Sequence, residues 1–469
     1  MNSIDLFIDK MHKENIPSAA INTFVHYYSK LKTGDAGLVT EDEIEPVSMS
    51  KLDDLESINL EPKSGIAPLL SRVVCIKLNG GLGTTMGLQG PKSLIPVKND
   101  LSFLDITCKQ LCSFNSAFNV KIPLILMNSF RTDKDSLSAL NKYPEIQTDI
   151  PSSFIQNKFP KILASSLLPA TYPEDPSLEW NPPGHGDLYV AFQTSGILSL
   201  LISKGYKYAF VSNSDNLGAT LNPAILNYVE DKQIPFLMEV TDRTWMDRKG
   251  GHLARLKESG NLILREAAQC PEKDIESFRN ISRYCYFNTN NLWIDLVALK
   301  QKLDNSNGFL DLPMIRNRKK LNPVEIDSPE IYQVESAMGT AISVFESASA
   351  LRVSRDRFAP VKSCDDLLLL WSDAFILNDK CQIVKNPARK HTQIDIQLDP
   401  DYFSFIHQLH ERFPQGAPSL LECKCLTISG DFRFGKNVKI IDSVTLRNTG
   451  SKQITIPDNS IIDQRCEFT

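Results

Sequence analysis

No apolar stretch in this chain approaches the roughly 20 residues a helix needs to cross a bilayer, which argues against a membrane-spanning helix. The opening residues, MNSIDLFIDKMHKEN, mix charge with apolar side chains and have neither the hydrophobic stretch nor the cleavage site of an export signal. A cytoplasmic location is the expectation. Surplus positive charge is missing too: 51 Lys and Arg against 56 Asp and Glu give a net charge of −5, the wrong sign for a protein whose main partner is a nucleic acid. The 10 cysteines are scattered over 469 residues, not gathered into a short framework, and read as reduced thiols. Cys423 and Cys425 form a CxC with no second pair, and His407 and His410 stand three apart on a predicted helix, so neither group has the spacing of a structural zinc site. What remains is an ordinary globular composition, 42% hydrophobic and 23% charged, in a chain long enough for two or three units.

One segment is far from ordinary. In VVCIKLNGGLGTTMGLQGPKS, from Val73 to Ser93, a run of Val73, Val74, Ile76 and Leu78 has the pattern of a strand inside a parallel sheet, predicted to end at Leu78. Five glycines follow, Gly80, Gly81, Gly83, Gly87 and Gly90, where backbone N–H groups can approach a polyphosphate without intervening Cβ atoms. Two better-known glycine loops do not fit. A GxxxxGKS/T loop needs its lysine directly after the last glycine, whereas Pro91 separates Gly90 from Lys92, and the GxGxxG spacing is not met. Strand, glycine turn and lysine in this order point to a phosphate site, and the competing reading is a loop that is merely flexible.

NGGLGTTMGLQGPKS resembles the nucleotide-binding loop of the eukaryotic-type UDP-glucose pyrophosphorylases (UTP:glucose-1-phosphate uridylyltransferases). The bacterial sugar-nucleotide pyrophosphorylases resemble it only loosely, because their loop carries Arg where this chain has Thr85. The likeness continues through PPGHGDLY (Pro182 to Tyr189), NSDNLGAT (Asn213 to Thr220), MEVTDRT with KGG (Met238 to Gly251), FNTNNLW (Phe287 to Trp293) and RFAPVKSCDDLLLL (Arg357 to Leu370). Six motifs in the family's order cover almost the whole chain. The sequence departs from the pattern in TWMDRKGG, where Trp245, Met246 and Arg248 replace small residues.

Periodicity divides the chain in three. Residues 1–50 read as an N-terminal helical segment broken near Ile16 and Pro17, leading into the acidic stretch Glu41 to Glu45. Residues 51–377 alternate strands (PLILMNS, YAFVSNSD, PFLMEVTD, EIYQVE) with helices (TSGILSLLISKG, PAILNYVED, DDLLLLWSDAFIL), the mark of an α/β domain with a mostly parallel sheet. Residues 378–469 carry one amphipathic helix, DPDYFSFIHQLHERF, and then short β-rich segments. The resemblance implies a Rossmann-like, GT-A-like nucleotidyltransferase domain followed by a C-terminal left-handed β-helix; read alone, the last segments also fit a small irregular β-domain.

In a parallel sheet ligands collect at the carboxyl ends of the strands, where both the glycine loop and NSD fall. The resemblance implies that Leu78, Asn79, Gly80 and Gly81 border the nucleotide, that Gln156 reads uracil with its amide donor and acceptor, and that Gly184 and His185 lie near the base and the sugar phosphate. Asn213, Ser214, Asp215, Gly250, Glu266 and Asn290 match substrate-side positions. Lys92 and Lys362 match the lysines that meet the phosphates, although Lys362 alone reads as a solvated loop lysine beside Arg355 and Arg357, themselves a candidate anion patch. Asp215 leaves two readings open: a ligand for Mg²⁺ at the strand end, or a cap of the following NLG turn. The resemblance implies the metal. The implied activity is Mg²⁺-dependent, with UTP, glucose 1-phosphate, UDP-glucose and pyrophosphate as ligands and self-association through the C-terminal domain as a family variant. Rival readings are a broader UDP-sugar or UDP-N-acetylhexosamine pyrophosphorylase, a glycosyltransferase, and a non-catalytic sugar-nucleotide-binding assembly protein.

Overall fold

The computed structural model describes residues 3–35, 37–48, 52–58, 65–325 and 327–463, and the backbone of 466–468. The expected boundary between residues 50 and 51 lies outside the described residues. At its centre is a mixed sheet whose main path runs Asp53–Asp54, Ser349–Arg352, Phe236–Asp242, Tyr286–Asp295, Tyr208–Asn213, Val73–Asn79, Leu124–Asn128, Ser153–Ile155. Every neighbouring pair is parallel except the two made by Tyr286–Asp295. Alternation along Val73–Asn79 explains its near-continuous apolar sequence: Val74 and Ile76 enter one core, Val73 and Cys75 the core on the other face.

Helices cover both faces. Phe103–Phe118 begins with a reciprocal cap between Ser102 and Asp105, and Pro223–Asp231 starts on Asn222, whose side chain accepts from Ala224 N–H. The segment TSGILSLLISKG, predicted as one helix, is divided, with Leu188–Thr194 ending before Gly196 and Ile197–Ser203 following it. EIYQVE is a strand, Glu330–Glu335, yet it pairs antiparallel with Ile315–Lys320 and Ile162–Leu163 in a separate sheet. DDLLLLWSDAFIL is half as helical as its sequence suggests: the helix Cys364–Trp371 stops and Phe375–Leu377 is a strand.

The N-terminal helices Ser3–Lys13 and Ser18–Lys32 bury Phe7, Phe24, Tyr27 and Tyr28, with Phe24 edge-on to Phe159 at a centroid distance of 5.4 Å. The acidic stretch returns to the body of the fold, because Ile44–Pro46 pairs with His252–Leu256 and Glu41 takes the fully buried Arg265 at 3.0 Å. At the other end, the predicted amphipathic helix is two short ones, Pro400–Phe403 and Ile406–Arg412. Beyond them Asp395–Leu398, Ser419–Ser429, Lys439–Asn448 and Ile461–Ile462 pair in parallel, as do Phe432–Phe434 and Ile454–Ile456. Their shared core includes Met86, Ile95, Val97 and Val361, so the underside of the glycine loop is continuous with the C-terminal β region.

Candidate active site

The carboxyl ends of four neighbouring parallel strands lie level. Leu78 is opposite Asn213, Asn79 opposite Asn128, and Asn128 opposite Ile155. Gly80, Ser214 and Gln156 each follow one of these ends, with Ser214 N–H donating to Leu78 C=O at 3.1 Å and Gln156 N–H to Asn128 C=O at 2.8 Å. The Gln156 amide lies directly over Gly80, where a Cβ would stand 2.8 Å from its Oε1. The glycine leaves room for that amide, which a Cβ would push aside. A cavity of about 270 Å³ opens at this point, lined by Gly80, Leu82, Phe130, Gln156, Asn157 and Trp180 among others. Asn79 behaves differently from its neighbours: its side chain is buried, its Nδ2 donates to Asn128 Oδ1 and Ser136 Oγ at 2.7 and 2.8 Å, and its Oδ1 meets no partner among the described residues.

Across the glycine loop, Lys92 Nζ meets Asp215 Oδ2 at 2.7 Å, the two side chains 18% and 19% exposed. A partly shielded ion pair whose members remain open to solvent can be parted by a ligand that offers phosphate oxygens to the lysine. The capping alternative for Asp215 is not what the fold contains. The NLG turn takes its side-chain acceptor from Asn216, whose Oδ1 receives Gly218 N–H at 3.3 Å. No group of three His, Cys, Asp or Glu suited to a metal occurs among the described residues, so Asp215 belongs to no three-ligand cluster. That fits Mg²⁺ carried on substrate phosphates, which needs only one or two protein carboxylates.

The PPGHGD loop begins at the same cavity, which Pro182 helps to line. Gly184 has φ of +80°, and a Cβ there would stand 2.4 Å from Ser336 C=O. His185 Nδ1 accepts Met338 N–H at 2.9 Å, and burial pushes the ring down to about 4. The imidazole is therefore neutral near pH 7, with its proton on Nε2, which makes it a hydrogen-bond donor to whatever lies beside it. Asp187 accepts from Asn157 N–H and Nδ2 at 2.5 and 2.8 Å, fastening this loop to the segment that carries Gln156; burial pushes it up to about 7, against the pull of those bonds.

On the opposite side the segments come from farther apart. The Glu266 carboxylate lies against Gly251, and its pKa is raised by burial and held back by the charge of Lys362. Lys362 is exposed, and its N–H donates to Asp366 Oδ2 at 2.7 Å just ahead of the helix Cys364–Trp371. Asn290 sits at φ +58° in a bulge of Tyr286–Asp295, with Asn288 Nδ2 donating to its Oδ1 at 2.8 Å. The loop with the unusual residues wraps around Arg243, whose guanidinium donates to the carbonyls of Asp247, Arg248 and Gly250. Trp245 and Met246 stand outside it, 68% and 80% exposed, with Arg248 4.1 Å over the Trp245 ring.

The arginines read as an anion patch are spoken for. Arg355 pairs with Asp247 at 2.8 Å, and Arg357 forks onto both oxygens of the fully buried Glu239 at 2.7 Å each. Neither acceptor was identifiable beforehand. Glu239 belongs to the quoted motif MEVTDRT, and a carboxylate in a fully buried strand was the available signal that a cation had to meet it. A second missed residue, Lys77, interrupts the apolar strand; its Nζ donates to Ser212 Oγ at 2.7 Å and Ala219 C=O at 2.9 Å, tying together two strands that end in the site, and burial lowers its pKa.

The family model described as UTP--glucose-1-phosphate uridylyltransferase matches residues 21–441. The chain belongs to this family. A relative from Solanum tuberosum, named UTP--glucose-1-phosphate uridylyltransferase, is 37% identical over 461 residues, covering 96% of this chain and 92% of its own. A mutant UDP-glucose pyrophosphorylase from Leishmania major, solved in complex with UDP-glucose, superimposes with a TM-score of 0.92 at 40% identity and covers 100% of this chain and 99% of that one. A UDP-glucose phosphorylase from Trypanosoma brucei gives a TM-score of 0.91 at 41% identity, with full coverage of both chains. Membership in a uridylyltransferase family sets aside the glycosyltransferase and assembly-protein readings.

Proposed function

We propose that the chain transfers UMP reversibly from UTP to glucose 1-phosphate, giving UDP-glucose and pyrophosphate. The observation that carries this reading is the convergence of the glycine loop, the Gln156 amide and the Lys92–Asp215 pair on one level edge of the parallel sheet. The Solanum relative named for this activity and the Leishmania structure solved with UDP-glucose support it.

In this account a phosphate oxygen of glucose 1-phosphate attacks the α-phosphorus of UTP in line while the bond to the bridging oxygen breaks and pyrophosphate departs opposite. Such a transfer calls for positioning and charge neutralisation more than for covalent help. The backbone of Leu78, Asn79, Gly80 and Gly81 borders the nucleotide with Gly184, and Gln156 reads the uracil edge. Lys92 exchanges Asp215 for triphosphate oxygens, His185 donates through Nε2 to a sugar-phosphate oxygen, and Lys362 brings its charge to the transferring phosphoryl group. Asn213, Ser214, Gly250, Glu266 and Asn290 hold the sugar. Asp215 is the residue that would hold Mg²⁺, which when bound neutralises triphosphate charge.

The C-terminal parallel pairing supports a β-helix, left-handed as in the family likeness, and offers a surface through which copies of the chain associate. No helix among the described residues is long and apolar enough to cross a membrane, and a cytoplasmic enzyme is the reading adopted. Initial rates with a panel of sugar 1-phosphates at fixed UTP test the substrate: glucose 1-phosphate is expected to have the highest kcat/KM. Equal values across galactose and N-acetylglucosamine 1-phosphates would instead favour the broader pyrophosphorylase.

A further inference from the structure

Lys362 is exposed, and the segment leading to it is tied down residue by residue. The tie begins at Glu239, fully buried in Phe236–Asp242. Its two oxygens receive Arg357 Nε and Nη2 at 2.7 Å, Asn291 Nδ2 at 3.0 Å and Trp293 Nε1 at 2.9 Å. The Arg357 carbonyl then accepts from Asn216 Nδ2 at 3.1 Å and Asn291 Nδ2 at 3.2 Å, while Asn216 Oδ1 accepts Ala359 N–H at 3.0 Å. Asn216 also bridges to Pro360. A Cβ at Gly218 would lie 2.3 Å from Asp356 C=O, so the two backbones are in direct contact at the far end of the turn.

Asn216 directly follows Asp215. The network therefore links the turn that presents Asp215 to the segment of residues 357–360 that leads to Lys362, through groups that are almost all buried: Asn216 at 1%, Glu239 and Asn291 at 0% exposure. A buried carboxylate with four donors has one arrangement in which its lone pairs are satisfied, and leaving any partner unpaired is costly. The guanidinium fork adds direction, because two parallel N–H groups fix the plane of Arg357 against Glu239.

We propose that Arg357 and Asn216 are positioning residues of the transfer reaction, acting on the transferring phosphoryl group by setting Lys362 at a fixed place relative to Lys92 and Asp215. The inference rests on the uridylyltransferase reading given above. Neither residue needs to touch substrate for this. Their effect falls on kcat, since Lys362 interacts most strongly when charge develops in the transition state, and little on the binding of UTP.

A double-mutant cycle at saturating substrates tests it. Arg357→Lys keeps a cation for Glu239 and loses the fork. It is expected to lower kcat by about 10²-fold, the scale of a displacement of roughly 1 Å, while KM for UTP stays within about two-fold. In a Lys362→Ala background the same substitution is expected to change kcat no further. Asn216→Ala carries the identical cycle where thermal melting shows that Arg357→Lys does not fold. Proportional losses in both backgrounds would overturn the proposal, as would an unchanged kcat in a folded variant. Failure of the underlying reading is distinguishable: the unsubstituted chain would then release no pyrophosphate from UTP and glucose 1-phosphate.

Discussion

The proposed nucleotide side and the proposed acceptor side of this site are built in different ways. On the proposed nucleotide side, strand ends and Gln156 are joined by backbone hydrogen bonds of a level parallel edge, and Gly80, Ser214, Asp215 and Gln156 each come one or two positions after a strand. On the acceptor side, Lys362, Glu266, Gly250 and Asn290 come from four separated segments, and the arginines ahead of Lys362 reach distant carboxylates: Arg357 meets Glu239, 118 residues away, and Arg355 meets Asp247, 108 residues away. The first side is a property of the sheet. The second is a property of the tertiary fold, and its outer loop carries Trp245 and Met246 in the open. The difference implies that phosphate and base binding survive changes that abolish transfer.

Lys362→Ala is the strongest way to break that comparison. Removing the acceptor-side charge is expected to lower kcat by about 10² or more, with UTP binding retained and the fold intact. Steady-state kinetics alongside a UTP binding titration check it. Unchanged kcat in the folded variant would remove the functional division between the sides.

Asp215→Asn comes next, because it strikes the nucleotide side at its charged centre. The neutral amide frees Lys92 and weakens the hold on a hard cation, so activity is expected to fall and to recover in part at high Mg²⁺. Initial rates across a Mg²⁺ titration decide this, and superimposable curves for the two proteins would take Asp215 out of the site.

The strand and loop framework of the proposed nucleotide side was legible in the sequence because it is local. The run from Val73 to Ser93 holds its strand, loop and lysine within a single contiguous stretch, and NSD likewise ends the strand Tyr208–Asn213. What was not legible depends on long-range packing. Asp215 and Asn216 are chemically alike as caps, and only the direction of each side chain assigns the turn to Asn216 and the ion pair to Asp215. The apolar pattern of EIYQVE announces a strand without naming its sheet, and DDLLLLWSDAFIL is apolar enough to mask the end of its helix at Trp371. The arginines beside Lys362 could be counted but not partnered, since their carboxylates lie in strands and loops far along the chain.

A smaller effect sharpens the nucleotide side. Gln156→Ala is expected to reduce discrimination of UTP over CTP by about 1–3 kcal/mol, the cost of leaving a base edge unmet. The ratio of kcat/KM for the two nucleotides measures it, and an identical ratio in the variant would place base reading elsewhere.

The smallest effects concern stability, and two residues of one loop oppose each other. His185, lowered from 6.5 to about 4, holds fewer protons folded than unfolded in that window; its contribution is present above about 6.5 and is lost as pH falls toward 4. Asp187, raised from 3.8 to about 7, contributes fully below 3.8 and loses that contribution as pH rises through 7. Urea midpoints between pH 4 and 6.5 are therefore expected to fall less steeply on acidification in His185→Gln than in the parent, and more steeply in Asp187→Asn. Parallel curves for all three proteins would show that the loop does not shift these groups.

The central claim, that both sides cooperate in one nucleotidyl transfer, is tested most directly by following pyrophosphate released from UTP with and without glucose 1-phosphate. Pyrophosphate is expected in equal amount to UDP-glucose when both substrates are present, and essentially none from UTP alone. Release of orthophosphate, or of pyrophosphate without the sugar phosphate, would contradict it.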